Sequence, residues 1–249
     1  MMWRRSILIC AAALVAIGCA IAVLPARWLI HSVPANWPLA LIDASGSLWA
    51  GQGVLALGPR DMQRTLPDPV RWHWRWQWGS RPTIIVTHPW LTGPLTLTPG
   101  LTTLEIGAQR LRLPAQALTM AGVPFNSLEP GGQVQVSWPT VLAGSGPQIG
   151  PLLQIQWTDA SSARVRVRPL GSYTAAISGR ADRSLDLQVN TQSGALRVQG
   201  AGSRAPDGRW QFNGTAQPAP NTDPSTQDAL APLLAMLGRR RGDITTLQY

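Results

Sequence analysis

The chain has 249 residues, with 21 basic side chains against 12 acids and a formal net charge of +9. Every basic residue is an arginine, and the arginines are scattered rather than blocked, which argues against a nucleic-acid footprint. Both cysteines, Cys10 and Cys19, sit in the first apolar run, so nothing downstream can form a disulfide or a thiolate metal site.

Residues 1–5 carry Arg4 and Arg5 and read as a short cytoplasmic tail. Ser6 to Leu24 follow as an uncharged run. A helix of that length reaches roughly 28 Å, close to a hydrocarbon core of about 30 Å. Arginines on its N-terminal side favour the remainder of the chain lying outside the cytoplasm. Residues 6–24 are therefore expected to be one transmembrane helix and 25–34 a linker, with Arg27 and Trp28 at the outer interface. A cleaved signal peptide is the rival reading, because Ala20-Ile21-Ala22 is an A-x-A pattern.

From about residue 35 to 249 the grammar changes to short alternating runs cut by the 24 glycines and 22 prolines. GSLWAGQGVLAL (46–57) reads in strand context, and PVRWHWRWQWG (69–79) alternates strictly. There Trp72, Trp74, Trp76 and Trp78 share one face, expected to be buried, with Arg71, His73 and Arg75 on the other. The pattern returns at 131–139, 152–159, 163–169, 173–179, 184–202 and 208–216. Within 163–169, Arg164, Arg166 and Arg168 are expected on the outer face of a strand. Alternation over 4–8 residues marks half-buried strands, and short spacings favour antiparallel meanders. The expected fold is mainly β, a curved antiparallel meander sheet or partly open barrel or groove of about ten to fifteen strands. A short helix is expected near 225–238, with acids early, arginines late and Pro232 inside.

The chain carries no recognisable catalytic or metal-binding pattern. His31, His73 and His88 have no partners at metal-ligand spacing, and no nucleophile elbow, Walker or dinucleotide motif occurs. No enzyme, cofactor or metal site is expected.

ASGSLWAGQGVLAL carries a G-[ST]-L-W-x-G stretch at Gly46, Ser47, Leu48, Trp49 and Gly51, shortly after the apolar run. With the tryptophan-rich segment after it, GRWQFNGTA (208–216) and LLAMLG (233–238), the chain resembles the protein N family of bacterial type II secretion systems. The resemblance implies a noncatalytic inner-membrane component whose bulk is periplasmic and whose partners are other secretion subunits. It implies no catalytic residues. The glycines of the motif would let backbone approach or bend while Trp49 fills the space, either as a structural keystone or as a partner contact. The motif also resembles AsmA-like envelope proteins, which implies the alternative of a β-groove that binds or transfers lipid.

Overall fold

The computed structural model describes residues 16, 18–32, 39–58, 63–121, 125–220, 222–242 and 244–248. The described strands fall into two antiparallel sheets, neither of which closes into a barrel. They number seventeen, more than the ten to fifteen expected, and several in the large sheet are longer than the alternating runs suggested. The expected cytoplasmic tail and most of the expected membrane helix lie outside the described residues. Among those described, no helix is long and apolar enough to cross a membrane. The span read as a linker is not slack: Ala26–Ser32 is a 3-10 helix with Ala26 fully buried.

Contacts divide the chain into two compact units, Met1–His88 and Pro89–Tyr249. In the first, β1 (Leu39–Gly46), β2 (Ala50–Leu57), β4 (Val70–Arg75) and β5 (Thr83–Thr87) pair in that order, with the short β3 (Arg64–Thr65) against the end of β2. Leu41, Ala56, Leu66, Trp72 and Ile85 turn inward and form its buried apolar set.

The second unit holds a ribbon of β6 (Leu95–Pro99), β7 (Leu104–Ile106) and β10 (Val141–Ala143). Its large sheet begins at β8 (Gln109–Pro114) and runs through β9 (Pro130–Trp138) to β11 (Gly150–Ser162). The 3-10 segment Ala115–Ala121 and the single turn α1 (Phe125–Leu128) separate β8 from β9. A meander of β12 (Gly171–Gly179), β13 (Leu185–Ser193), β14 (Leu196–Arg204) and β15 (Trp210–Pro218) continues the sheet. After α2 (Pro224–Leu237), β16 (Arg239–Arg241) and β17 (Ile244–Gln248) complete nine strands, β17 pairing β15.

The meander follows its alternation closely. Val189 pairs with Gly200, so Leu185, Leu187 and Val189 share a face with Leu196 and Val198. Helix α2 covers one apolar cluster of this unit, where Leu230 and Leu234 are fully buried and pack with Leu196, Ala216 and Leu247; Leu113, Ala115, Ala117 and Val134 form another. Asp223 caps its start in an extended conformation and Pro224 takes the first helical position, where its missing N–H costs nothing.

One expected strand is absent. Residues 163–169 form an irregular loop between β11 and β12. The arginines do point outward and Val165 is buried, but the backbone has no ladder partner. Pro169 lacks the N–H a pairing strand would donate, and the sheet resumes with Gly171 opposite Ala160.

Candidate functional site

The family-like motif is not a strand but the turn of the β1–β2 hairpin. Gly46 and Gly51 face each other as the closing pair. Gly46 sits at φ 89°, a left-handed conformation that favours glycine. The Ser47 amide donates to the Ala50 carbonyl at 2.9 Å, and the Ala50 amide donates back to the Ser47 hydroxyl at 3.1 Å. A small hydroxyl residue after a left-handed glycine is thus what tightens the turn. A Cβ on Gly51 would stand 2.6 Å from the Ser45 carbonyl oxygen and 2.7 Å from Trp72 Cζ2. The ring that fills the space beside the glycine is therefore Trp72, where the sequence suggested Trp49. The Trp72 indole N–H donates to the Leu48 carbonyl at 3.2 Å, so the buried strand residue and the turn hold each other.

Trp49 points the other way, toward the end of the N-terminal apolar run. Residues 18–22 are helical, and the chain turns out of the helix at Val23. The last carbonyls of a helix have no partner within it. The Ile21 carbonyl accepts from the Leu24 amide at 3.3 Å, and the hairpin adds two donors at and just beyond the helix end. The Trp49 indole N–H bonds the Ile21 carbonyl at 2.9 Å, and the Leu48 amide bonds the Leu24 carbonyl at 2.8 Å. Pro25 forms a bridge with Ser47 immediately after. The G-S-L-W turn is a C-terminal cap for the preceding helix, built from a segment distant in sequence. No signal in the sequence linked the two. The nearest hint was their fixed order, and hydrogen bonds to backbone carbonyls leave no mark in side-chain type.

The tryptophan face divides. Trp72 is buried, Trp74 is half-buried, Trp76 is 65% exposed and Trp78 is fully exposed. The expectation of four buried rings is therefore corrected for the last two. Strand β4 ends at Arg75, opposite Thr83 of β5, and the chain turns at Gln77–Ser80. Beyond Arg75 the alternation continues without a ladder to orient it. Trp49, Trp74 and Trp76 nevertheless meet. Trp49 lies edge-on to Trp74 at 5.4 Å, Trp74 stacks on Trp76 at 5.7 Å, and Trp49 and Trp76 are 6.1 Å apart. Such contacts contribute about 0.5–1.5 kcal/mol per pair beyond area burial. The Trp74 amide also donates to the Trp49 carbonyl at 2.8 Å, tying strand and turn together.

Two cavities of the second unit are lined by described residues. One of about 410 Å³ is lined by Gln116, Thr119, Glu129, Ser161 and Arg168, among others. Its acid, Glu129, pairs with Arg164 at 3.1 Å on the exposed surface. The other, of about 200 Å³, is almost wholly apolar and lies between the sheet and α2, lined by Trp157, Tyr173, Val198, Leu233 and Leu237. It falls below the roughly 300–1,000 Å³ of ordinary ligand pockets. Tyr173 donates to the Leu196 carbonyl at 3.0 Å, and burial pushes its phenol well above the usual range. Among the described residues no cluster of His, Cys, Asp and Glu could hold a metal. His73 is exposed on β4, and His88 Nε2 lies 3.2 Å from the Asp68 carbonyl oxygen.

The family described as "Type II secretion system (T2SS), protein N" matches residues 38–246. A protein named "Type II secretion system protein N" from Klebsiella pneumoniae is 27% identical over 216 residues, covering 81% of this chain and 82% of its own. No solved structure matches the chain. The match spans both compact units and includes the whole motif hairpin: the chain belongs to the type II secretion system protein N family.

Proposed function

We propose that this protein is a noncatalytic subunit of the type II secretion apparatus, anchored once in the inner membrane, with its β-rich units in the periplasm. It supports export of folded periplasmic proteins through contacts with other secretion subunits. The observation that carries the anchored reading is the cap. The end of the apolar run is hydrogen-bonded through Ile21 and Leu24 to the hairpin that bears the family-like motif. A leader destined for removal has no need of such contacts. A tether also raises the subunit's effective concentration at the membrane platform where its partners sit.

The test is complementation of a chromosomal deletion. Deleting the gene should trap type II substrates in the periplasm, and the full chain should release them. The same chain carrying a cleavable export signal in place of residues 1–24 should fail at native expression. Unchanged export of every substrate in the deletion strain would overturn the proposal.

A further inference from the structure

We propose that the motif hairpin and the tryptophans beside it form a collar that seats the first unit in the phospholipid interface around the N-terminal helix. The inference rests on the membrane-anchor reading above and adds a site to it. Trp49 bonds a carbonyl within the last helical turn, so its ring stands at the depth where the apolar run ends. Trp76 is held 6.1 Å from it, and Trp78 follows within about 7 Å of chain. Trp49 and Trp76 are therefore placed by the helix end itself, with Trp78 fully exposed two residues on.

What covers them is argued from the surface around the junction. Val23 is 73% exposed, Trp28 is 64% exposed, and Ile21, Trp76 and Trp78 also show much of their area. A stacked indole cluster with its outer members bare is costly in water. The polar side chains interleaved with it are Arg75 and Gln77, both exposed, and Arg27 lies beside Trp28. Indole rings at headgroup depth and guanidinium groups that reach phosphate are the residue types a bilayer interface selects. The helix cap gains there too, because unpaired carbonyls near hydrocarbon have no water to turn to.

Depth measurement tests this on the full chain in nanodiscs of phosphatidylethanolamine and phosphatidylglycerol. With Cys10→Ser and Cys19→Ser as background, a spin label is placed at Trp78→Cys or at Thr65→Cys. Thr65 is an exposed residue paired with Ala56, about 20 Å along β2 from Ala50. The label at 78 should show oxygen accessibility well above that of a water-soluble nickel chelate, placing it at the headgroup boundary. The label at 65 should show the reverse. Trp76→Ser combined with Trp78→Ser should keep the folded state, with the circular dichroism spectrum of the parent, and raise the nickel accessibility of a label at Trp28→Cys several-fold. Retention of the chain in the disc with position 78 as water-exposed as position 65 would overturn the collar alone. Release of the chain by alkaline wash would remove both the collar and the anchor.

Discussion

The β12–β15 meander with α2 and the β4 strand with the motif hairpin are written in the same alternating grammar, yet they spend it differently. In the meander Leu185, Leu187 and Val189 share a face with Leu196 and Val198, and α2 packs against the Leu196 and Val198 part of it. In β4 the apolar positions are larger, but only Trp72 reaches the interior. The difference is the ladder. The β14–β15 pairing runs the full length of its strands, and the β13–β14 pairing holds the whole of Leu185 to Asn190. The β4 pairings stop at His73 on the β2 side and Arg75 on the β5 side. Alternation specifies an inside only while neighbouring strands fix the pleat.

The contrast can be broken by truncation. Leu234→Ala removes a fully buried side chain that α2 packs against Leu196, Ala216 and Leu247, and should cost about 2–5 kcal/mol. Trp76→Ala removes a far larger side chain that is mostly in solvent. Its loss should stay near the aromatic-pair value of about 1 kcal/mol. Thermal unfolding of the full chain in detergent measures both. A Trp76 effect equal to that of Leu234 would mean that the exposed cluster holds the first unit together as a core does.

Gly51→Ala sharpens the same comparison at the turn. The added methyl meets the Ser45 carbonyl oxygen and the Trp72 ring, both closer than real Cβ contacts come. The backbone oxygen cannot swing away, and moving Trp72 disturbs its bond to the Leu48 carbonyl. Overpacking of this kind costs about 1–3 kcal/mol. Gly51→Ala should therefore lower the unfolding midpoint. It should also loosen the helix cap, seen as faster exchange of the Leu48 amide. A midpoint equal to the parent's would show that the hairpin can shift to accept the methyl.

How far the sequence reached follows from what each feature is made of. The β class, the antiparallel order and the register of 184–202 were legible because burial acts residue by residue through side-chain type. The C-terminal helix was legible from its early acids and its leucine-rich LLAMLG stretch, and its observed span differs from the expected one by a single residue at each end. Residues 163–169 misled because Val165 and Arg164 obey the in-out rule without any strand to pair with. The hairpin cap was invisible for another reason. Its bonds run from the Trp49 ring and the Leu48 amide to carbonyls of residues 21 and 24, and every residue has a carbonyl. The division of the chain at His88 likewise has no marker in composition.

The smallest expected effect lies at the start of α2 and depends on pH. The Asp223 carboxylate accepts from the Ser225 hydroxyl at 2.5 Å, the Thr226 hydroxyl at 2.7 Å and the Thr226 amide at 2.9 Å. These bonds, the Ser225 hydroxyl first, lower its pKa to about 2. An unfolded aspartate titrates near 3.9. The folded value is the lower one, so the native state holds the charged form more tightly. The stabilisation is complete above about pH 4 and is lost as the pH falls through about 2. Asp223→Ala removes the cap at every pH and this dependence with it. The midpoint gap between parent and variant should be widest at neutral pH and narrow steadily below pH 4. Asp223→Ser keeps a capping oxygen but no titrating charge, and should recover part of the neutral-pH gap while staying flat in acid. A gap that does not change between neutral pH and pH 2 would mean that α2 is held by Leu230, Leu233 and Leu234 alone, with its cap idle.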